Sequence, residues 1–190
     1  MKKTTILIAA LLIVVATASG LFAETKYWII NLRGGAAVPM DAFGKHNDMG
    51  YDVGLSVRQG LDMEFSWGGG LDLASMPYKD KAASQAFTAS TIDLEAVYSP
   101  YWPDIFIWPY LKAGVAFCML KYTMLAAVDN PVPKSENTFG FLIGGGINIP
   151  IGGIFTINVE TLYHHISLNG GIGDMNSYLG IGGGLTLFLK

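Results

Sequence analysis

The sequence predicts an all-β fold, namely an eight-stranded antiparallel transmembrane β-barrel preceded by a cleaved signal peptide. Composition, strand periodicity and the lengths of the connectors all point to this fold. Of the 190 residues, 51% are hydrophobic and 14% are charged, yet 24 are glycines scattered through the apolar stretches. Transmembrane helices avoid so many glycines and soluble domains carry more surface charge, whereas a barrel has an apolar outside and a crowded polar inside.

The N-terminus has the pattern of a secretory signal peptide. The basic start MKK precedes TTILIAALLIVVATA, an apolar stretch of roughly a dozen residues that is short for a membrane helix. Small residues permit cleavage after Ala18, Gly20 or Ala23, and we favour Ala23 because strand-like sequence begins just beyond it. The predicted organisation is a signal peptide over residues 1–23 and one barrel domain over residues 24–190.

Charge and cysteine content exclude other classes of protein. The formal net charge is −3, and loss of Lys2 and Lys3 with the signal makes the chain more acidic, so nucleic acid is a poor partner. The single cysteine, Cys118, excludes an internal disulfide, although the chain is predicted to be exported.

Beyond the signal, eight stretches alternate apolar and polar residues with the period of two that is typical of strands. Most of them reach the length of about ten residues that a tilted strand needs to cross a bilayer. The predicted strands are residues 27–38, 49–58, 63–76, 90–99, 108–122, 138–149, 154–167 and 177–189.

The connectors alternate between long and short, as they do in outer-membrane barrels. The long ones are residues 39–48, 77–89, 123–137 and 168–176, and the shorter ones are 59–62, 100–107 and 150–153. If the N-terminus lies in the periplasm, every long connector is extracellular and every shorter one is periplasmic. An even number of strands then returns the C-terminus to the periplasm.

Residues 137–159 could be mistaken for a transmembrane helix because they carry no charge. Six glycines and Pro150 argue against a helix, since each disfavours helix formation and proline also removes a backbone hydrogen bond. We therefore predict a hairpin, with Pro150 in its turn.

The polar face of each strand is predicted to line the barrel interior, because a charged residue facing lipid costs a few kcal/mol. For example, Asp93 and Glu95 alternate with the apolar Ile92 and Leu94. An eight-stranded barrel is only wide enough for side chains to fill it, so we expect paired acids and bases. The predicted interior network comprises Arg33, Asp52, Arg58, Glu64, Asp72, Asp93, Glu95, Lys112 and Glu160.

Aromatic residues near the strand ends are predicted to form the girdles that mark the two membrane interfaces. On the periplasmic side these are Tyr27, Trp28, Tyr98, Tyr101, Trp102, Trp108 and Tyr110. On the outer side they are Tyr51, Tyr122 and Tyr163.

The segments PYLKAGVAF (109–117), FGFLIGGGINIPI (139–151) and YLGIGGGLTLFLK (178–190) resemble the small outer-membrane β-barrel proteins of the OmpA-barrel and OmpX type. The resemblance covers residues 24–190 and implies a monomer in the bacterial outer membrane. It also implies contact with lipid and lipopolysaccharide, insertion by the barrel-insertion machinery, and no cofactor. The implied role is non-enzymatic, in envelope integrity or in surface interaction with a ligand of the extracellular loops. Members usually end in an aromatic residue, whereas here Leu189 and Lys190 follow Phe188.

A narrower resemblance concerns the outer-membrane lipid A deacylases, eight-stranded barrels with a His-x-Ser-Asn motif whose histidine and serine face lipid. His165 and Ser167 match its first part, and Leu168 stands where asparagine is expected. Period-two alternation puts His165 and Ser167 on the lipid face, where a base beside a hydroxyl could activate it.

The acid of a catalytic triad is missing from the predicted strands. The deacylase family places an acidic residue on the final strand, but here Asp174 in a predicted loop is the one acid after Glu160. Glu160 and His164 are predicted to face the interior. We therefore predict no catalytic residue and regard His165 and Ser167 as a polar rim, with the deacylase-like esterase as the enzymatic alternative.

Two further functions have weaker support. His46, His164 and His165 have no spacing typical of metal ligands, so no metal site is predicted. A narrow pore is an alternative function, disfavoured because eight strands leave little lumen.

Overall fold

A computed structural model of the chain describes residues 27–41, 43–62, 64–79, 86–100, 106–124, 132–167 and 176–189. The predicted signal peptide lies outside these ranges and stays a prediction.

The eight predicted strands are confirmed. They are β1 Tyr27–Pro39, β2 Gly50–Gly60, β3 Phe65–Met76, β4 Phe87–Tyr98, β5 Trp108–Met124, β6 Val132–Gly152, β7 Phe155–Ile166 and β8 Asn176–Leu189, with one short helix, α1 Phe43–His46, after β1. Each strand pairs antiparallel with its sequence neighbour, and β1 pairs with β8 to close the barrel. In the described parts of the chain, no helix is long and apolar enough to cross a membrane.

The β5–β6 hairpin is longer than predicted. Residues 123–124 and 132–137, more than half of the predicted loop 123–137, are paired strand. The ladder continues through Lys121↔Ser135 to Met124↔Val132. Pro133 lies in this extension. No described strand pairs with the other side of β6 at this height, and proline is tolerated on an edge strand.

The β6–β7 turn also differs from the prediction. Pro150 is not in the turn: it pairs with Thr156 inside the ladder, and the register shifts between Pro150 and Gly152. The chain reverses just after this shift, where Gly152 and Gly153 have φ angles of 137° and 56°. Glycine adopts such angles without a steric penalty, and this places the turn about two residues later than expected.

The two faces of each strand differ as the period of two predicts. In β5, Leu111 and Val115 are 66% and 62% exposed, whereas Lys112 between them is 3% exposed. Tyr110 and Tyr122 share the inward face with Lys112 and are buried, so their predicted places in the aromatic girdles are wrong. The outside of the barrel is an apolar belt, and the inside is filled by side chains.

Candidate functional site

An ion-pair ladder crosses the middle of the lumen, and Arg33 of β1 lies at its outer end. Its Nη1 lies 2.8 Å from Asp52 Oδ2 on β2, and its Nη2 lies 2.8 Å from Asp72 Oδ1 on β3. Its Nε lies 3.2 Å from Glu160 Oε1 on β7. One guanidinium thus joins carboxylates from three other strands, using the fork of donors that distinguishes arginine from lysine.

The ladder continues through Lys112 towards the end of the barrel that carries the N-terminus, which is predicted to face the periplasm and is called the periplasmic end below; the opposite end is the predicted extracellular end. Its Nζ lies 3.3 Å from both Glu160 Oε2 and Glu95 Oε2. Arg58 ends the ladder, with Nε 3.4 Å from Glu95 Oε1. Tyr110 donates a hydrogen bond of 2.7 Å to Glu160 Oε2, so Glu160 contacts side chains from β1 and β5.

Two predicted members of the network differ from the rest. Asp93 is buried beside the ladder but forms none of the ion pairs among the described residues. Glu64 precedes β3 in the turn after β2 and is half-buried near the periplasmic mouth. It takes no part in the described ion pairs, because its place before the strand leaves it below the ladder.

The ladder is packed too closely to act as a water-filled channel. The gap among Arg33, Asp72, Asp93, Glu95 and Lys112 has no room for a water molecule. These charges lie in the lipid-spanning part of the barrel, where a buried charge is tolerated when an opposite charge lies next to it.

In the outer half of the lumen the described side chains form an apolar cluster, here named the outer plug. Phe43 of α1 packs edge-on against Phe87 at 4.7 Å between ring centroids, and the ring of Tyr178 stacks on His164 at 4.5 Å. The plug comprises Ala37, Phe43, Ala74, Met76, Phe87, Ala89, Ala116, Cys118, Leu120, Tyr122, Ile166 and Tyr178. The period of two predicts the inward positions of the members that lie on predicted strands, but not that this layer is apolar while the middle is charged. Phe43, Phe87 and Ala89 lie in the predicted connectors 39–48 and 77–89, so the sequence prediction does not place them inside.

Two extracellular connectors join above the plug. Asn47 and Tyr78 form a β-bridge, and the Lys79 backbone N–H donates to the His46 carbonyl at 2.9 Å. The Lys79 ammonium also donates to the Gly44 carbonyl at 2.6 Å. These contacts hold α1, and therefore Phe43, over the end of the barrel.

At the periplasmic end the lumen opens into a cavity of about 460 Å³, here named the base cavity. Its lining is Tyr27, Ile29, Arg58, Glu64, Ser66, Val97, Ser99, Pro100, Trp108, Asn148, Pro150, Gly153, Ile154, Phe155, Thr156 and Phe188.

His165 and Ser167 lie on the outer face near the end of β7, while Glu160 and His164 point inward. The imidazole of His165 stacks on Phe141 at 4.9 Å. In the described part of the chain no carboxylate forms an ion pair with His165, and Asp174 lies outside that part. The backbone of Ser167 is held by β6, since its N–H donates to the Phe139 carbonyl and its own carbonyl accepts from the Thr138 hydroxyl.

The three histidines do not come together as a metal site. His46 is in α1, His164 faces inward and His165 faces outward. Across the described residues there is no group of three or more metal-ligating side chains close enough to hold an ion.

Comparison with known proteins identifies the fold. No protein-family model matches the sequence, and no curated protein is detectably similar to it. Solved structures are similar in fold. Neisserial surface protein A shares 14% identity with a TM-score of 0.62, covering 85% of this chain and 96% of its own.

Two further solved structures agree with this result. The N-terminal β-barrel domain of Pseudomonas aeruginosa OprF shares 15% identity with a TM-score of 0.53, covering 86% of this chain and 98% of its own. A major outer membrane protein of Thermus thermophilus shares 12% identity with a TM-score of 0.52, covering 85% of this chain and 99% of its own. With its closed ladder and apolar belt, the chain therefore has the fold of the small eight-stranded outer-membrane β-barrels, as the sequence predicts.

Proposed function

We propose that this protein is a non-enzymatic envelope protein that acts through its cell-surface parts, in envelope integrity or surface interaction. The filled lumen is the observation that carries the proposal. Ladder and outer plug follow one another along the barrel axis, with no room for water among the ladder side chains. Because a lumen filled in this way does not favour transport through the barrel, we assign the function to the outer surface and the extracellular segments.

The extracellular end of the β5–β6 hairpin is the surface that fits this role best. The last pair between β6 and β7 is Gly140↔Ile166, yet β6 starts at Val132. Beyond the bond from Ser167 to Phe139, no described strand pairs with the outer edge of β6. A free strand edge presents backbone donors and acceptors that can pair with an extended segment of another protein.

The test removes the outer half of this edge and keeps the barrel. Joining Leu120 to Glu136, which are paired, through an Asn-Gly turn suits a two-residue hairpin and deletes residues 121–135, including the part of β6 from Val132 to Ser135. A matched control replaces the same residues by a glycine-serine linker of equal length, which keeps the loop but removes the same part of the strand edge. We expect both variants to fold, as shown by altered gel migration on boiling.

The functional readout uses a Gram-negative host that lacks the gene. The full chain should restore detergent resistance or surface binding, and neither variant should do so. If both variants restore these properties as well as the full chain does, the hairpin is not the functional surface and the proposal is wrong in this respect.

The two alternative functions make opposite predictions. A narrow pore would give steady single-channel conductance in planar bilayers, and we expect none. A deacylase-like esterase, favoured by the outward side chains of His165 and Ser167, would release fatty acid from lipopolysaccharide. We expect no release; release that disappears in Ser167→Ala would establish the esterase instead.

A further inference from the structure

The base cavity has the size and lining of a small-molecule site. Its volume of about 460 Å³ falls within the range of ligand pockets, and its walls are mostly apolar. Ile29 and Val97 are buried in the wall. Phe188 lies between Tyr27 and Trp108 at the mouth, with ring centroids 6.1 and 6.5 Å from its own.

The floor of this cavity carries a buried cation with unused hydrogen-bonding capacity. Arg58 is 6% exposed and belongs to the cavity lining. Its Nε lies 3.4 Å from Glu95 Oε1 but is not aligned for a hydrogen bond. Among the described residues this is the one ion pair of Arg58, although a guanidinium carries five N–H donors.

The ladder is polarised along the barrel axis, and its periplasmic end is the positive one. Arg58 and Lys112 share Glu95 at that end. Asp52 and Asp72 lie at the other end, since Asp52 pairs with Gly35 whereas Arg58 pairs with Ile29, six residues lower on β1. A ligand in the base cavity therefore meets a basic floor, while the excess acid is farther away.

We propose that the base cavity binds a small amphipathic carboxylate from the periplasmic side. Its alkyl or aromatic body lies against the apolar wall, and its carboxylate accepts hydrogen bonds from Arg58. The half-buried Glu64 at the mouth opposes this ligand by like charge. This activity is independent of the surface role, because the cavity and the β5–β6 hairpin are at opposite ends of the barrel.

Quenching of Trp108 fluorescence tests the proposal on the full chain in nanodiscs of zwitterionic lipid. Replacing Trp28, Trp67 and Trp102 with phenylalanine leaves Trp108, a cavity residue, as the only tryptophan. The probes are ω-bromooctanoate, ω-bromooctanol and ω-bromooctyl-trimethylammonium, which share one alkyl chain and differ in charge. We expect saturable quenching with affinity in the order carboxylate, alcohol, ammonium.

Substitutions of the two charged residues test the assigned contact. Arg58→Gln should weaken carboxylate binding by about tenfold or more, the worth of a charge-assisted hydrogen bond, and leave the alcohol unchanged. Glu64→Gln should strengthen carboxylate binding by about two- to fivefold, since it removes a partly screened like charge. Because Glu64 lies outside the ladder, this second variant keeps the test valid even if Arg58→Gln fails to fold.

A filled cavity provides the remaining control. Val97→Phe occupies the cavity and should abolish saturable quenching, whereas Val57→Phe adds the same ring on the lipid face and should not. Quenching that shows no preference among the headgroups and persists in Val97→Phe would come from probe dissolved in the bilayer, and it would overturn the proposal.

Discussion

Arg33 is the residue on which the interior of the barrel depends most. Its guanidinium lies within 3.2 Å of carboxylates from β2, β3 and β7, so it links strands that do not all adjoin one another. All of these side chains are buried in the lipid-spanning part of the barrel, where water cannot replace a lost partner. The ion pairs therefore stabilise the folded barrel less by their mutual attraction than by preventing an unpaired charge from being buried.

Arg33→Gln should be strongly destabilising, because it leaves Asp52 and Asp72 without the partner that the described structure gives them. We expect a loss of about 3–5 kcal/mol in the free energy of unfolding, measured by urea titration in detergent micelles. Arg33→Lys keeps the charge but not the fork, so its loss should be smaller. Equal stability of all three proteins would contradict this view of the ladder.

The sequence predicts which residues face inward but not which of them meet. Alternation with a period of two identifies Arg33, Glu95 and Glu160 as interior residues. Their partners depend on the stagger between strands, which no single strand encodes, so the link from Arg33 to Glu160 could not be foreseen. Tyr110 has the same parity as Lys112, and that parity was the signal that it lies inside rather than in a girdle.

At the scale of elements, the closure between β1 and β8 depends on close backbone contact. Gly35 of β1 pairs with Gly182 of β8, and a Cβ on Gly35 would lie against the Ile181 carbonyl and 2.5 Å from the Gly182 Cα. The adjacent Gly34 differs: a Cβ there would meet only Val53 Cγ1, at 3.8 Å. Close backbone contact therefore requires glycine at position 35, but it does not require glycine at position 34.

Adjacent glycine-to-alanine variants test this difference. Gly35→Ala should lower the free energy of unfolding by about 1–3 kcal/mol, because backbone must move to accept the methyl group. Gly34→Ala should change it by less than about 0.5 kcal/mol, as is usual for a surface substitution. Both are measured by urea unfolding in the same micelles, and a loss for Gly35→Ala as small as that for Gly34→Ala would show that the two strands can move apart without cost.

The ends of elements are less predictable from sequence than their existence. β6 begins at Val132 rather than 138 because its partner β5 extends with it, a tertiary effect that overrides the loop tendency of Pro133. β4 likewise begins at Phe87 rather than residue 90, and the additional strand residues carry the Phe87 ring into the outer plug.

At the scale of the whole molecule, polarity is organised in two directions. Across the wall, exposed apolar side chains such as Leu111 and Leu32 oppose buried charged ones such as Lys112 and Arg33. Along the axis, the lumen passes from the base cavity through the ladder to the outer plug. The change of polarity across the wall suits a barrel surrounded by a bilayer. The change along the axis leaves apolar side chains at the outer end of the lumen.

The membrane position of the barrel follows from the change of polarity across the wall and can be measured on its outer face. Val115 is 62% exposed and lies well inside β5, level with Leu94 and Phe141 of the neighbouring strands. Val115→Arg should therefore make folding into lipid bilayers less favourable by about 2–4 kcal/mol, the cost of a cation near the midplane.

Phe106 is the matched position for this prediction, because it is 68% exposed but precedes β5 at the periplasmic end. Phe106→Arg should cost only about 0–1 kcal/mol, since arginine at an interface keeps its charge in water. In detergent micelles, which adapt to the surface they cover, the difference between the two variants should shrink. Equal costs in bilayers would mean that the apolar belt is not centred on Val115, and the described barrel would have to sit at another depth in the membrane.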